Sequence, residues 1–211
     1  MIGESGAGKT TSLRTLDPKT TFIIDADRKG LSWRGWKKQY CAENKNYLRT
    51  SNVATIRGML QRIDTGDLDK FKTIVIDTLN GVMVDDEMRR MNEKGFDKWR
   101  DLAASVYGII SGIYDMRDDL TVVCMAHTQT DRDDSGYIFT HMKTSGKKLE
   151  KIVPESKFTT VLLAKGSNEK HFFETRSSNS TAKAPLDCFA DAEIENDMAM
   201  VIETLRKYEE E

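Results

Sequence analysis

The chain has 211 residues, of which 38% are hydrophobic and 31% charged, and its formal net charge is −2. This length allows one sizeable domain with a buried core, and no apolar run approaches the roughly 18 residues of a membrane span. The near-neutral charge argues against a general nucleic-acid coat protein, and the N-terminus does not resemble a signal peptide. The three cysteines do not stand at metal-ligand spacing from the three histidines, so we expect a cytoplasmic protein with reduced thiols and no membrane association.

The first motif is GESGAGKTT (3–11), which fits the phosphate-binding pattern G-x-x-x-x-G-K-[ST] of the P-loop. Its glycines allow backbone conformations in which successive N–H groups point at phosphate oxygens, and a helix predicted from about Lys9 to Leu16 adds its positive N-terminal end. Lys9 is expected to reach the β- and γ-phosphates, and the Thr10 hydroxyl to bind Mg²⁺. The predicted nucleotide-binding residues are Gly3, Glu4, Ser5, Gly6, Ala7, Gly8, Lys9, Thr10 and Thr11.

A P-loop normally follows a buried strand, yet only Met1 and Ile2 precede this one. We expect these two residues to be the end of that strand and the native gene product to extend further. Loss of the strand is the less favoured alternative, because it would expose the edges of the neighbouring strands.

The residues after the loop predict alternating strands and helices. TTFIIDAD (20–27) is a short apolar run that ends in acids, which indicates a buried strand, and NYLRT (46–50) can form a shorter strand. Ser51 can cap a helix that runs to about Ile63 with its apolar residues on one face. FKTIVIDT (71–78) predicts a second strong strand.

The middle of the chain continues this alternation. Helices are predicted around 81–93 and from about 97 to 117, where apolar residues recur at helical spacing. LTVVCMAH (120–127) predicts a third strong strand. Segment 128–148 is polar and lacks periodicity, so we expect a long loop there.

The last part of the chain predicts a hairpin and a final helix. FTTVLLAK (158–165) and KHFFETR (170–176) flank GSNE and indicate a β-hairpin, and the last helix spans about 191–209. Strands that alternate with helices imply right-handed βαβ units and a mostly parallel sheet. Since no repeat or linker is visible, residues 1–211 are expected to form a single α/β domain.

Acidic residues end two of the predicted strands, where ligands bind in open α/β sheets. Asp77 ends TIVID, and its carboxylate can order the water shell of a Mg²⁺ bound by Thr10. Asp27, with Asp25, ends the earlier strand and can polarise the water that attacks the γ-phosphate. The alternatives are that Asp77 caps the next helix and that Asp27 serves a turn. The predicted catalytic residues are Lys9, Asp27 and Asp77, and the predicted metal-binding residues are Thr10 and Asp77.

Polar residues also end the third strand, at His127, Thr128 and Gln129. A polar group there can detect the γ-phosphate and transmit its presence to the following loop, so His127 and Gln129 are predicted nucleotide sensors. The alternative for His127 is a partly buried histidine whose hydrogen bonds are satisfied locally.

The order of these parts resembles the RecA-type ATPase core. The P-loop is followed by FIIDAD, TIVIDT and VVCMAHTQ, and then by a long loop and KTSGKKLEK…FTTVLLAK. More closely, GESGAGKTTSLRTLDPKTTF, WRGWKKQY, MRRMNEKGFDKW and ETRSSNSTAKAP look like small phage-encoded RecA-like ATPases of the Sak group of single-strand annealing recombinases. The resemblance covers nearly the whole chain. It implies a P-loop NTPase fold that uses ATP and Mg²⁺ and acts on single-stranded DNA.

The resemblance also implies roles for further residues. Asp27 would occupy the position of the family's catalytic glutamate, from which it departs by one methylene. Loops 79–98 and 129–148 would face the central DNA channel of a ring or filament, and Arg176 and Lys183 would reach the γ-phosphate of a neighbouring subunit. The implied partners are single-stranded DNA, further copies of the chain and a single-strand binding protein, in a bacterial host cell.

Two basic segments are candidates for contacting DNA. Residues 28–49 carry seven basic residues and one acidic residue. Trp33, Trp36 and Tyr40 interleave with the basic residues. Aromatic platforms beside basic residues are typical of single-strand binding, although the same rings can instead pin a long loop to the core. The basic candidates in this segment are Arg34, Lys37 and Lys38.

The second basic group lies beside the predicted sensor and contains Lys143, Lys147 and Lys148. Residues 187–211, in contrast, hold nine acidic residues and two basic ones, and we interpret them mainly as a solvated surface.

The favoured interpretation is an ATP-binding and ATP-hydrolysing phage recombination protein that acts on single-stranded DNA. The first alternative is a P-loop phosphotransferase with a small-molecule acceptor. Such kinases usually need an arginine-bearing lid, and 128–148 contains only Arg132. The second alternative is a nucleotide-gated binding module that hydrolyses little ATP.

Overall fold

A computed structural model describes residues 1–93, 95, 97–145, 151, 153–166 and 170–210. The chain folds into two compact units. The first unit contains Met1–Leu16, Ala126–Lys143 and Glu155–Glu211, and the second contains Asp17–Met125 and Thr144–Pro154. The expected single domain over residues 1–211 stays a prediction.

The described strands are β1 (Ile2–Gly3), β2 (Thr21–Asp25), β3 (Tyr47–Arg49), β4 (Thr73–Asp77), β5 (Thr121–Met125), β6 (Thr128–Arg132), β7 (Ile138–Met142), β8 (Leu163–Gly166), β9 (His171–Glu174) and β10 (Glu193–Glu195). The described α-helices are α1 (Trp36–Gln39), α2 (Val53–Thr65), α3 (Leu79–Arg89), α4 (Asp97–Ile113) and α5 (Met198–Glu210). Short 3₁₀ helices cover Thr10–Thr15 and Pro154–Lys157. Within the described residues, none of the helices has the length and apolar character needed to span a membrane.

The second unit is built on a parallel sheet with the strand order β3-β2-β4-β5. Every residue of β2 and β4 is buried, as expected for the inner strands of a parallel sheet with continuous apolar runs. Helices α2 and α3 both pack against α4. The strands predicted at 20–27, 46–50, 71–78 and 120–127 are confirmed. The prediction of an α/β fold in which helices flank parallel strands is also confirmed.

Three helix boundaries in the second unit differ from the prediction. Helix α2 is capped by Asn52, whose side chain accepts a hydrogen bond from the Thr55 N–H at 2.9 Å, whereas Ser51 donates to the Asp85 carboxylate. Helix α3 begins at residue 79, because the Thr78 side chain caps it, and ends at residue 89 instead of 93. Helix α4 ends at residue 113 instead of 117.

The first unit contains a sheet with the strand order β1-β8-β9-β10. β1 pairs in parallel with β8, and the other two pairings are antiparallel, which confirms the predicted hairpin of β8 and β9. On its other side, β1 exchanges backbone hydrogen bonds with Ala126. The helix predicted over Lys9–Leu16 is a 3₁₀ helix over Thr10–Thr15, and α5 packs against it.

Two predictions for the first unit were wrong. The final helix begins at residue 198 instead of 191, because the Asp197 carboxylate accepts a hydrogen bond from the Met200 N–H at 3.0 Å, and β10 precedes it. Segment 128–148 is not simply a loop, since β6 and β7 form an antiparallel hairpin within it. The Asp133 carboxylate closes the turn by accepting hydrogen bonds from the N–H groups of Ser135 and Tyr137, each at 2.9 Å.

Candidate functional site

The phosphate loop in the first unit has the backbone conformation that its glycines predict. Gly6 and Gly8 have φ angles of +83° and +87°, in the left-handed region that other residues rarely adopt. Gly3 is required for a different reason, because a Cβ there would lie 2.7 Å from the Ala164 carbonyl oxygen on β8. The loop leads into the first helical turn, where the Ser12 N–H donates to the Gly8 carbonyl oxygen at 3.0 Å.

The Lys9 side chain lies across this loop and is only 6% exposed. Its ammonium group donates to the carbonyl oxygens of Gly3 at 2.6 Å and Glu4 at 2.8 Å. The same Nζ atom is 3.4 Å from Nδ1 of His127. The predicted phosphate-binding lysine and the predicted sensor histidine are therefore in contact within one unit.

His127 stands at the base of the β6–β7 hairpin. Its carbonyl oxygen accepts a hydrogen bond from the Lys143 N–H at 2.7 Å, so both ends of the hairpin meet next to the residue that contacts Lys9. The second predicted sensor, Gln129, donates to Asp131 at 3.0 Å further along the hairpin. Hydrogen bonds from His141 and Gln129 lower the pKa of the Asp131 carboxyl. The structure thus connects the Lys9 ammonium to the hairpin through His127.

The second unit carries the predicted acids at the ends of β2 and β4. Asp77 is completely buried, and its carbonyl oxygen accepts hydrogen bonds from the N–H groups of Ala26 at 2.7 Å and Asp27 at 3.2 Å. Both carboxylate oxygens of Asp27 have partners, since Oδ2 is 2.6 Å from the Lys29 ammonium and Oδ1 accepts from the Thr78 hydroxyl at 2.8 Å. The predicted water-polarising carboxylate is therefore held by a lysine and a threonine.

The contact of Lys29 with the strand-end acids was not predicted from the sequence. Burial lowers the pKa of its ammonium, but the hydrogen bond to Asp27 and the charges of Asp77, Asp27 and Asp25 raise it, and the net shift is upward. Lys29 is accordingly protonated at neutral pH and neutralises part of the charge of the three carboxylates.

Asp25 holds the start of the basic segment in place. Its completely buried carboxylate accepts hydrogen bonds from the Gly30 N–H at 2.8 Å and the Tyr47 hydroxyl at 2.6 Å, and Arg49 lies 3.8 Å away. Burial and the hydrogen bond to Asp25 raise the pKa of Tyr47 to about 12. Asp25 therefore has a structural role that differs from that of Asp27, although the two acids are adjacent in the sequence pattern.

The aromatic residues of the basic segment pack against other aromatic rings of the second unit. Trp33 makes an edge-to-face contact with the buried Tyr40 and donates to Gln39 at 2.7 Å, while Trp36 packs against Tyr47. This packing favours the alternative in which the rings pin the loop. The basic candidates Arg34, Lys37 and Lys38 are exposed.

The remaining predicted residues are placed as follows. Lys143 is exposed, whereas Lys147 and Lys148 lie outside the described residues. Arg176 donates to the Ala190 carbonyl oxygen at 3.1 Å, and the backbone of Lys183 pairs with Val161. Their action on a neighbouring subunit stays a prediction.

A shared Mg²⁺ site of Thr10 and Asp77 also stays a prediction, because the two residues belong to different units. The donor chemistry fits, since a hydroxyl and a carboxylate supply the hard oxygen ligands that Mg²⁺ prefers. Within the described part of the chain there is no group of three or more His, Cys, Asp or Glu residues that could hold a metal ion.

A family model described as an AAA domain matches residues 1–185. The chain belongs to this AAA-domain family. No curated protein matches the chain. Membership of the AAA-domain family indicates nucleotide binding and points to ATPase activity, and the described parallel strands and helices agree with the expected P-loop NTPase fold. The matched residues include the phosphate loop, both strand-end acids and the β6–β7 hairpin, and they end before β10 and α5.

Proposed function

We propose that this AAA-domain protein binds Mg²⁺-ATP through residues 3–11 and hydrolyses it. The observation that carries the proposal is the loop itself, with two left-handed glycines and the Lys9 ammonium folded over its carbonyl oxygens. The Lys9 ammonium is paired with the carbonyl oxygens of Gly3 and Glu4. An incoming phosphate offers a stronger, charged acceptor for the same ammonium group. Thr10 would then contribute its hydroxyl to Mg²⁺.

We assign the hydrolytic step to the strand-end acids. Asp77 would order the water shell of Mg²⁺, and Asp27 would polarise the attacking water. The 2.6 Å contact between Asp27 and Lys29 offsets the negative charge of the carboxylate, which weakens its pull on a water proton while the contact is kept. The same contact favours the second candidate function, a nucleotide-gated binding module that hydrolyses little ATP.

We further propose that the protein acts on single-stranded DNA, as a phage recombination protein of the Sak type in the cytoplasm of a bacterial host. The contact between Lys9 and His127 supports coupling, because His127 begins the segment that ends at the exposed Lys143. A change in the position of Lys9 on nucleotide binding would alter the base of the hairpin. The exposed basic side chains of residues 28–49 would supply further contacts to the DNA phosphates.

The proposed active form is a homo-oligomer in which Arg176 and Lys183 approach the nucleotide of a neighbouring subunit. The reason is chemical, since phosphoryl transfer in P-loop ATPases is usually completed by a cation supplied in cis or in trans. Size-exclusion chromatography with light scattering, with and without ATP and DNA, tests this assembly. A monomer with full activity would contradict it.

The proposal is tested by measuring ATP hydrolysis at fixed Mg²⁺ with and without a single-stranded oligonucleotide. We expect hydrolysis that the oligonucleotide increases, and loss of both rates in Lys9→Ala. Binding of ATP without hydrolysis in either condition would favour the nucleotide-gated module. Transfer of phosphate to an added small molecule would favour the phosphotransferase.

A further inference from the structure

Two side chains from later parts of the first unit lie beside Gly8 of the phosphate loop. A Cβ placed on Gly8 would lie 2.9 Å from Cγ of His171 and 3.2 Å from Nδ2 of Asn196. The His171 ring also lies against Gly166 at the end of β8, where a Cβ would be 2.5 Å from its Nδ1. Glycine at positions 8 and 166 thus allows the imidazole to lie directly against the loop.

The backbone at Asn196 is hydrogen-bonded to the residues that follow the phosphate loop. Its carbonyl oxygen accepts a hydrogen bond from Arg14 at 3.1 Å, and the same arginine nitrogen donates to the Thr11 carbonyl oxygen at 3.0 Å. The next residue, Asp197, accepts from the Thr15 hydroxyl at 2.8 Å. These bonds tie the segment before α5 to the helical turn that follows the phosphate loop.

The Asn196 amide nitrogen is nevertheless unsatisfied. The residue is 93% buried, with 7% of its surface exposed, and its Nδ2 atom has no hydrogen-bond partner among the residues that the structure describes. A buried donor without an acceptor destabilises a protein, because it loses its bonds to water and gains none in return. An apolar side chain of similar shape would fill the same space without this cost. The amide is therefore best explained by an acceptor that arrives with a ligand.

We infer that Asn196 is a nucleotide-binding residue that donates a hydrogen bond to an oxygen of the bound nucleotide, and that His171 forms the wall beside it. This inference rests on the proposed binding of ATP at the phosphate loop and adds a contact from outside the residues that match the AAA-domain model. Phosphate and ribose oxygens are the acceptors that a ligand brings to Gly8. A hydrogen-bond donor at this position favours an anionic ligand that is rich in oxygen atoms. A carboxylate at position 196 would repel the same ligand.

The test compares two variants. Asn196→Leu keeps a side chain of similar shape and removes the donor, and Asn196→Asp keeps the size and replaces the amide donor with a carboxylate acceptor. The dissociation constant of ADP and the urea midpoint are measured for each. Loss of one hydrogen bond to the ligand predicts about tenfold weaker ADP binding for Asn196→Leu, with an unchanged or higher urea midpoint. Asn196→Asp should bind ADP more weakly still, because a carboxylate would face the phosphates.

Asn46 provides a matched control, because it is also buried but its amide nitrogen donates to the Pro18 and Gln39 carbonyl oxygens, both at 2.8 Å. Asn46→Leu should lower the urea midpoint and leave the ADP affinity unchanged. If Asn196→Leu instead behaves like Asn46→Leu, or if both Asn196 variants bind ADP as the parent does, the inference is wrong. A parent protein that fails to bind ADP at all would refute the proposed function itself. Lys9→Ala is the control for that function, because it should lose ADP binding at the phosphate loop whatever the role of Asn196.

Discussion

Gly8→Ala should destabilise the protein more than Gly6→Ala, although the two glycines belong to the same loop. Both have φ angles near +85°, at +87° and +83°, so an alanine at either position pays the same backbone cost. The difference lies in the surroundings. A Cβ on Gly6 meets no atom within 4 Å, whereas a Cβ on Gly8 lies 2.9 Å from Cγ and 3.0 Å from Cβ of His171.

The expected magnitudes follow from these distances. The left-handed conformation costs alanine about 1–2 kcal/mol at either site. Overpacking against a neighbouring side chain adds about 1–3 kcal/mol, and this addition applies to Gly8 alone. Since 1 kcal/mol shifts the melting temperature of a 150–250-residue protein by about 2–4 °C, the two variants should differ by roughly 2–12 °C.

The assay is thermal and urea unfolding of both variants and of the double variant Gly8→Ala/His171→Ala. Removal of the imidazole should recover part of the excess cost of Gly8→Ala, which a double-mutant cycle measures directly. Equal destabilisation by Gly6→Ala and Gly8→Ala, or no recovery in the double variant, would refute the described contact between His171 and the loop.

Four further outcomes are expected. Lys29→Met should raise ATP turnover several-fold by releasing the carboxylate of Asp27, and unchanged turnover would show that the ion pair does not restrict it. Asp27→Asn should still bind ATP but hydrolyse it slowly, so turnover at the parent rate would reduce Asp27 to a turn residue. Asp25→Leu should cost about 2–4 kcal/mol in urea unfolding, because the Gly30 N–H and the Tyr47 hydroxyl lose a charged acceptor; a loss below 1 kcal/mol contradicts this role. The pKa of Asp131 is lowered by His141, so its stabilising contribution is complete above the ordinary value near 3.8 and disappears as the pH falls through the lowered value. Asp131→Asn should remove this part of the acid sensitivity, as comparison of pH-dependent melts with the parent would show.

The sequence predicted those parts of the fold in which local pattern and tertiary environment agree. The strands β2, β4 and β5 are largely apolar runs, and all three form the parallel sheet of the second unit. The β6–β7 hairpin was missed because TQTDR contains no apolar residue and the three apolar residues of IFTHM do not alternate with polar ones. The turn residues DDSG between the two segments were the available signal, since Asp and Gly are favoured in such turns.

The sequence predicted the part of the candidate site that belongs to a recognisable motif. The loop conformation at Gly6 and Gly8 follows from the P-loop pattern, whereas the charge interaction of Lys29 with Asp77 and the position of Asn196 depend on which segments the fold brings together. A lysine two residues after an acid, or an asparagine before a helix, is common in surface turns and indicates no site by itself. Asp25 shows the same limit, because only its buried partners distinguish it from Asp27.

The central claim, that residues 3–11 hold ATP, is tested most directly by isothermal titration of ATP in the presence of Mg²⁺ into the parent protein and Lys9→Ala. We expect one ATP bound per parent chain and no measurable binding to a Lys9→Ala protein whose circular dichroism spectrum matches that of the parent. Equal ATP affinity in the two folded proteins would contradict it.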